Sequence, residues 1–107
     1  MKTIIELEAE RLEWSLKNFP DATQNSSLEK LKEEIGEVEL EITKQLHFKE
    51  GFGMAEEYAD CLMCLFDSAG RGGILPQQIF EAFEKKLEKN KTRVWKKNAD
   101  NTYSHVK

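Results

Sequence analysis

Acidic residues recur in this chain at a spacing that can build a cation site. Glu33-Glu34-Ile35-Gly36-Glu37 falls in one stretch of helical periodicity and Glu57-Tyr58-Ala59-Asp60 in the next. In each stretch two acids stand three residues apart, Glu34 with Glu37 and Glu57 with Asp60, which puts each pair on one helix face. Two antiparallel helices turned toward each other would converge four carboxylates on one point. Such a cluster is unfavourable unless something positive occupies it, and a hard divalent cation bound through oxygen is the natural occupant. For the first stretch alone, a solvated glutamate face is the simpler reading, because glutamate is a good helix former and often lies outside. The second stretch shifts the balance: Glu57 and Asp60 flank their own apolar stripe in the same manner, with few lysines beside them. Glu33 and Glu41 have an equal geometric claim to an outer role or to that of a general base.

A third group carries the opposite sign. Lys86, Asn90 and Arg93 are four and three residues apart, on the side of a helix that also carries Ile79, Phe83, Leu87 and Val94. Three donors on a core-facing side need acceptors, and a metal-held polyphosphate would supply them. An acidic cage facing a donor-rich strip suits a nucleoside triphosphate bound with Mg²⁺, or with Mn²⁺ as a substitute. The metal would bridge phosphate oxygens and activate a water. Lys86 and Arg93 would offset phosphate charge, Arg93 in bidentate fashion. Trp14 lies off the main apolar stripe of its helix. It offers a face for stacking a nucleobase, with a partner-chain or tail contact as the alternative. Phe19 is a second aromatic candidate, set against a role in closing the end of a helical bundle.

The elements that must position these residues follow from apolar spacing, which is helical almost throughout. Helices are expected over about 4–18, 27–46, 54–69 and 76–97. Thr3 with Glu6 and Ser26 with Glu29 read as capping boxes for the first two. Ile5, Ala9, Leu12 and Leu16 form the first apolar stripe. Leu28, Leu31, Ile35, Val38 and Ile42 form the second, and Met54, Tyr58, Leu62, Leu65 and Ala69 the third. Gly36 inside a helix costs about 1 kcal/mol against alanine, which suggests close approach by another helix or a ligand. Residues 49–53 read as a mobile connection, Gly70-Arg71-Gly72-Gly73 as a helix stop, and Pro76 as a first-turn residue. The expected architecture is an all-α, four-helix bundle-like single domain over 1–97, followed by a disordered polar tail over 98–107.

Composition bounds the remaining classes. The 107 residues fit one domain with a small stability margin. No apolar stretch approaches the roughly 20 residues of a membrane helix, and the acids near the start do not suit an export signal. The net charge of −4 argues against binding to a nucleic-acid polymer. Cys61 and Cys64, one helical turn apart, read as packing residues of a reduced, cytoplasmic protein. A zinc site would need two further ligands, and His47 and His105 offer no paired spacing. A di-iron carboxylate bundle would need Glu-x-x-His, but Lys44 precedes His47 and Thr102 precedes His105.

The two acid motifs together with Lys86, Asn90 and Arg93 resemble the signature of the MazG-like all-α nucleoside triphosphate pyrophosphohydrolases, in the right order, from about Trp14 to Trp95. Trp14-Ser15, Phe19-Pro20, Glu-Glu-Tyr-Ala-Asp and Lys-Leu-Glu-Lys-Asn-Lys-Thr-Arg-Val-Trp are similar to the small dATP/dGTP diphosphohydrolase branch. The resemblance implies that Glu34, Glu37, Glu57 and Asp60 ligate metal. It implies that Glu33 is an outer acid or base, and that Lys86, Asn90 and Arg93 contact phosphate or sugar. It further implies Mg²⁺-dependent cleavage of a nucleoside triphosphate to monophosphate and pyrophosphate, by a homodimer or homotetramer. Asn18-Phe19-Pro20 stands where some pyrimidine-specific relatives carry a histidine, which leaves purine deoxynucleotides favoured. The competing reading is a non-enzymatic, oligomeric helical interaction module, which needs only the apolar stripes.

Overall fold

The computed structural model describes residues 1–48 and 52–107, with side chains described outside 45–53. It contains α1 (Ile4–Asn18), α2 (Gln24–Phe48), α3 (Phe52–Arg71), α4 (Pro76–Lys91), β1 (Trp95–Lys97) and β2 (Tyr103–His105). The class is the mostly helical one expected. Of the mobile connection expected at 49–53, residues 49–51 lie outside the described residues, while Phe52 and Gly53 open α3. By its internal contacts the chain divides into two compact units, Met1–Pro76 and Gln77–Lys107.

The first unit is built on α2 and α3, with α1 laid against α3. α1 begins where its capping box requires. The Thr3 hydroxyl accepts from the Glu6 N–H at 3.2 Å, and the Glu6 carboxylate accepts from the Thr3 N–H at 2.9 Å. α2 starts three residues earlier than expected. Thr23 and Ser26 exchange the reciprocal bonds instead, at 3.0 and 2.8 Å, so Ser26 lies in the first turn of the helix rather than preceding it. α3 runs on to Arg71 and stops at Gly73, whose φ of +80° suits glycine. Ile74 N–H reaches back to Ala69 O at 2.9 Å and Gly73 N–H to Gly70 O at 3.0 Å, a six-to-one closure that takes up carbonyls of the last turn. Gly70 also lets α1 approach: a β-carbon there would lie 2.9 Å from the Leu12 methyls. Gly36 has no such neighbour, since a β-carbon there would meet open space. The close approach expected at that position is not made within the described chain.

The core departs from the apolar stripes. Val38 and Phe66 are its buried hydrophobic residues, and buried beside them are Glu8, Ser15, Ser27, Asp67 and Ser68. Leu16, Leu28, Ile35, Ile42, Tyr58, Leu62 and Leu65 were expected inside but stand exposed on the single chain. Helical periodicity locates an apolar face; it does not say whether the same chain covers it.

The second unit corrects two expectations. α4 ends at Lys91 rather than continuing to 97, because its last carbonyls find other donors. The Thr92 hydroxyl donates to Lys89 O at 2.7 Å, and the Trp95 indole N–H to Asn90 O at 3.0 Å. The segment expected as a disordered tail completes an antiparallel hairpin, pairing Trp95 with His105, Lys96 with Ser104 and Lys97 with Tyr103. Its turn is fixed by the Asp100 carboxylate, which accepts from Thr102 N–H at 3.0 Å and the Thr102 hydroxyl at 2.6 Å. Asn101 supplies the left-handed backbone at φ 71°.

Candidate active site

α2 and α3 run antiparallel, as the bonds near their outer ends show. Ser27 Oγ, on the first turns of α2, donates to Asp67 Oδ2 on the last turns of α3 at 2.6 Å, and Ser68 Oγ donates to Gln24 O at 3.0 Å. That register brings the two acid motifs opposite each other. Glu34 of α2 and Glu57 and Asp60 of α3 each offer an oxygen, all within 4.8 Å of one another. Glu37 stands outside that group, yet close enough for its charge to act on Glu57. Partial burial and the charges of Asp60, Glu37, Glu34 and Glu41 push the Glu57 carboxyl above its ordinary value.

The flanking acids divide by environment. The Glu34 side chain is 16% exposed and that of Glu33 66%, so Glu34 points into the cluster and Glu33 away from it. Lys30 lies between them, 3.2 Å from Glu33 and 3.5 Å from Glu34. Glu41 is paired with Lys44 at 3.2 Å. Three carboxylates therefore gather beside one lysine. All-oxygen donors with uncompensated negative charge fit a hard divalent cation such as Mg²⁺ or Mn²⁺. Of the four acids expected to ligate metal, the structure brings Glu34, Glu57 and Asp60 together, with Glu37 outside that group.

A cavity of about 500 Å³ opens beside this cluster. Glu34 and Asp60 line one part of it, Trp14, Phe19 and Met63 supply apolar wall, and Lys30, Ser26 and Ser27 add polar groups. Trp14 and Phe19 meet edge to face, with ring centres 5.3 Å apart and planes at 87°. Both aromatic candidates thus share a pocket with two of the acids.

Sequence reasoning missed Asp67. It is buried on α3 and accepts four side-chain hydrogen bonds. Its carboxylate accepts from Ser15 Oγ at 2.8 Å, Ser27 Oγ at 2.6 Å, Arg11 Nη1 at 3.0 Å and Arg71 Nε at 2.7 Å. Burial opposes its charge, but the bonds from Ser27, Arg71, Ser15 and Arg11 outweigh burial and hold it far below the usual carboxylate range. Arg11 and Ser15 are four apart, and so are Asp67 and Arg71, but nothing local in the sequence joins the two pairs.

Lys86, Asn90 and Arg93 belong to the second unit. There Arg93 Nη1 donates to Asn90 Oδ1 at 3.1 Å, and Lys86 is exposed. Arg93 stands beyond the end of α4, in the turn that leads to the hairpin, so the three do not share one continuous helix.

Comparison with known proteins gives these features a setting. A model of the dATP/dGTP pyrophosphohydrolase family matches residues 7–107. A dATP/dGTP diphosphohydrolase of Salmonella phage PMBT28 is 34% identical over 93 residues, which are 87% of this chain and 28% of that protein. The chain thus spans little more than a quarter of that relative's length. Among solved structures, a MazG-like pyrophosphohydrolase of cyanophage S-2L, bound to dGDP and three catalytic Mn²⁺ ions per active site, aligns with a TM-score of 0.74. The alignment covers 100% of both chains at 28% identity. Carried by a MazG-like all-α fold and a family match that runs from Leu7 to the last residue, the chain belongs to the dATP/dGTP pyrophosphohydrolase family.

Proposed function

We propose that this protein hydrolyses purine deoxynucleoside triphosphates, dATP or dGTP, to the monophosphate and pyrophosphate with Mg²⁺ as cofactor. The observation that carries the reading is the meeting of Glu34, Glu57 and Asp60 within 4.8 Å, next to a cavity walled by Trp14 and Phe19. A base-sized apolar slot and a polyphosphate-sized acidic cation site are thus adjacent. Support for the purine comes from the family match and from the S-2L structure, which holds dGDP and Mn²⁺.

The residues divide the work. Glu34, Glu57 and Asp60, joined by Glu37, hold divalent cation through carboxylate oxygen. A cation held there would supply charge neutralisation for the phosphates and activation of the attacking water. Water adds to one phosphorus of the α–β bridge, the bond from that phosphorus to the bridging oxygen breaks, and monophosphate and pyrophosphate separate. Glu33, exposed and paired with Lys30, takes the outer acid or base role rather than a ligand's. Trp14 stacks on the base, with Phe19 edge-on behind it. Lys86, Asn90 and Arg93 bind phosphate or sugar.

The exposed apolar residues of α1 and α3 suit a second copy. Ile4, Leu7, Leu62 and Met63 border a cavity of about 420 Å³ between those helices. A homodimer, or a homotetramer built from it, would bury them. We place the protein in the cytoplasm, where its free Cys61 and Cys64 would stay reduced. Among the described residues no helix is long and apolar enough to cross a membrane. A purely structural helical module is the weaker reading, because it leaves three converging carboxylates without a purpose.

Purified protein is to be given each deoxynucleoside triphosphate with Mg²⁺ or Mn²⁺ and the products resolved by ion exchange. Monophosphate and pyrophosphate in equal amounts, fastest from purines and lost in Asp60→Asn, is the expected result. Orthophosphate and diphosphate would overturn the reaction, and equal rates for all four bases would overturn the purine preference.

A further inference from the structure

We propose that Asp67 and Arg71 are positioning residues for the base slot. They act through Ser15, Ser27 and the Ala22 carbonyl to fix where Trp14 and Phe19 stand. The inference rests on the reading of that cavity as a nucleobase site, and it assigns a task to a charged knot that the hydrolysis itself does not use.

The connections are short and converge on one residue. Ser15 follows Trp14 directly and precedes Phe19 by one helical turn. Its carbonyl accepts from Phe19 N–H at 2.8 Å and from Arg71 Nη2 at 3.2 Å, and its hydroxyl bonds both Asp67 at 2.8 Å and Arg71 at 3.0 Å. The two aromatic walls are therefore tied to α3 through a single backbone position. Arg71 Nη1 also donates to Ala22 O at 3.0 Å, which holds the turn that carries Phe19 into α2. Ser27 adds the third helix through its bond to Asp67. Ser15, Ser27, Ala22 and Asp67 line the same cavity as Trp14 and Phe19, so the knot forms part of the slot's wall.

A general core anchor would do less. Val38 and Phe66 already pack the first unit, and α2 and α3 are joined along their length. What Asp67 and Arg71 add is directional: a planar guanidinium fork and a carboxylate, each bonded to groups within one turn of an aromatic wall. A planar base between side chains held this way meets a preformed surface, which removes an ordering cost from binding. Because burial is offset by four donors, Asp67 stays ionised across neutral pH and the slot keeps one shape there.

The test uses the full chain. Ser27→Ala removes one donor to Asp67, Ser27→Thr restores the hydroxyl, and Arg71→Lys keeps the charge but loses the fork. Calorimetry measures binding of deoxyguanosine and deoxyadenosine, which lack phosphate, and separately of Mn²⁺; steady-state kinetics gives KM and kcat with dGTP and dATP. Ser27→Ala and Arg71→Lys are expected to weaken deoxynucleoside binding and raise KM by about tenfold. kcat and Mn²⁺ affinity should stay within twofold, and Ser27→Thr should recover wild-type affinity. Unchanged deoxynucleoside affinity in both variants would overturn the proposal. So would a parallel fall in Mn²⁺ affinity and kcat, which marks a general structural role. If one variant does not fold, the other decides. Failure of the wild type to bind either deoxynucleoside would sink the slot while leaving hydrolysis to stand; absence of hydrolysis with deoxynucleoside binding intact would do the reverse.

Discussion

Adding Mg²⁺ or Mn²⁺ to the metal-free chain should raise its melting temperature, and Asp60→Asn should remove most of that rise. An octahedral cation with oxygens at about 2.0–2.1 Å sets neighbouring oxygens about 3 Å apart and opposite ones about 4.2 Å apart. Glu34, Glu57 and Asp60 already offer oxygens within 4.8 Å. Rotamer adjustment of an ångström or so completes the site, and α2 and α3 need not move. The folded chain therefore binds the ion and the unfolded chain does not. At about 100 times the dissociation constant that difference stabilises the fold by about 2.7 kcal/mol. For a domain near 100 residues each kcal/mol moves the melting temperature by about 4–8 °C, so a rise of about 10–20 °C follows. Loss of one charged ligand that weakens the site about 100-fold leaves about 0.4 kcal/mol at the same concentration, a rise of about 2–3 °C.

The sign without metal is the sharper half. Asp60→Asn takes one like charge out of a cluster whose only close counter-ion among the described residues is Lys30, so the metal-free variant should melt no lower than wild type and gain least from metal. The two melting curves cross as metal is added. Scanning calorimetry of wild type, Asp60→Asn and the control Glu39→Gln, across a metal series, reads this directly. Equal metal-induced shifts in all three proteins, or a metal-free Asp60→Asn that melts well below wild type, would refute the reasoning.

Asp67→Ala removes the one carboxylate paired with the Arg71 guanidinium, whose side chain is 6% exposed, while Arg11 keeps its pair with Glu8. Breaking a buried ion pair from one side costs about 3–5 kcal/mol, so denaturant unfolding should show a loss of that size. Asp67 also sets an acid limit. Its folded pKa is lowered, so its contribution is complete above the unfolded value of about 3.9 and drains away as pH falls below it. The urea midpoint should drop below pH 4, and Asp67→Asn should flatten that drop. Leu62→Glu puts a charge on the exposed apolar face of α3 and should convert oligomer to monomer in sedimentation velocity. An unchanged sedimentation coefficient would place the interface elsewhere.

How much of this was legible in the sequence depends on how far each signal reaches along the chain. Thr3 and Glu6 are local, and their capping box reads straight off the text. Thr23 and Ser26 are local too, but Ser26-x-x-Glu29 matched the familiar pattern better and drew the start of α2 three residues late. The acid pairs were legible because three-residue spacing fixes a face, and two faces imply a meeting. The tail was not, since strands of three residues are too short to show alternation. Asn98, Asp100 and Asn101 carried the turn chemistry all the same. Asp67 was out of reach for a different reason. Its partners Arg11, Ser15 and Ser27 lie 56, 52 and 40 residues away, and no local window joins them. The apolar stripes gave the helices correctly and burial incorrectly, because periodicity is blind to which chain covers a face.

Asp60 and Asp67 sit on one helix, seven residues and two turns apart, which is about 10 Å. Both face α2, and both stand in a cluster with other polar groups. Their surroundings differ in one respect. Asp67 has two guanidinium groups and two hydroxyls, every one aimed at its oxygens, and its carboxyl is driven down. The Asp60 cluster has three carboxylates and one shared lysine, and its Glu57 is driven up. A fold that can deliver four donors to one acid on α3 was free to deliver them to the other, two turns away. It holds acids there instead, against their mutual repulsion. Self-repelling carboxylates on rigid neighbouring helices make sense where an external cation completes them. The pocket that joins the satisfied acid to the unsatisfied ones is where a base at one end and its phosphates at the other would span the distance.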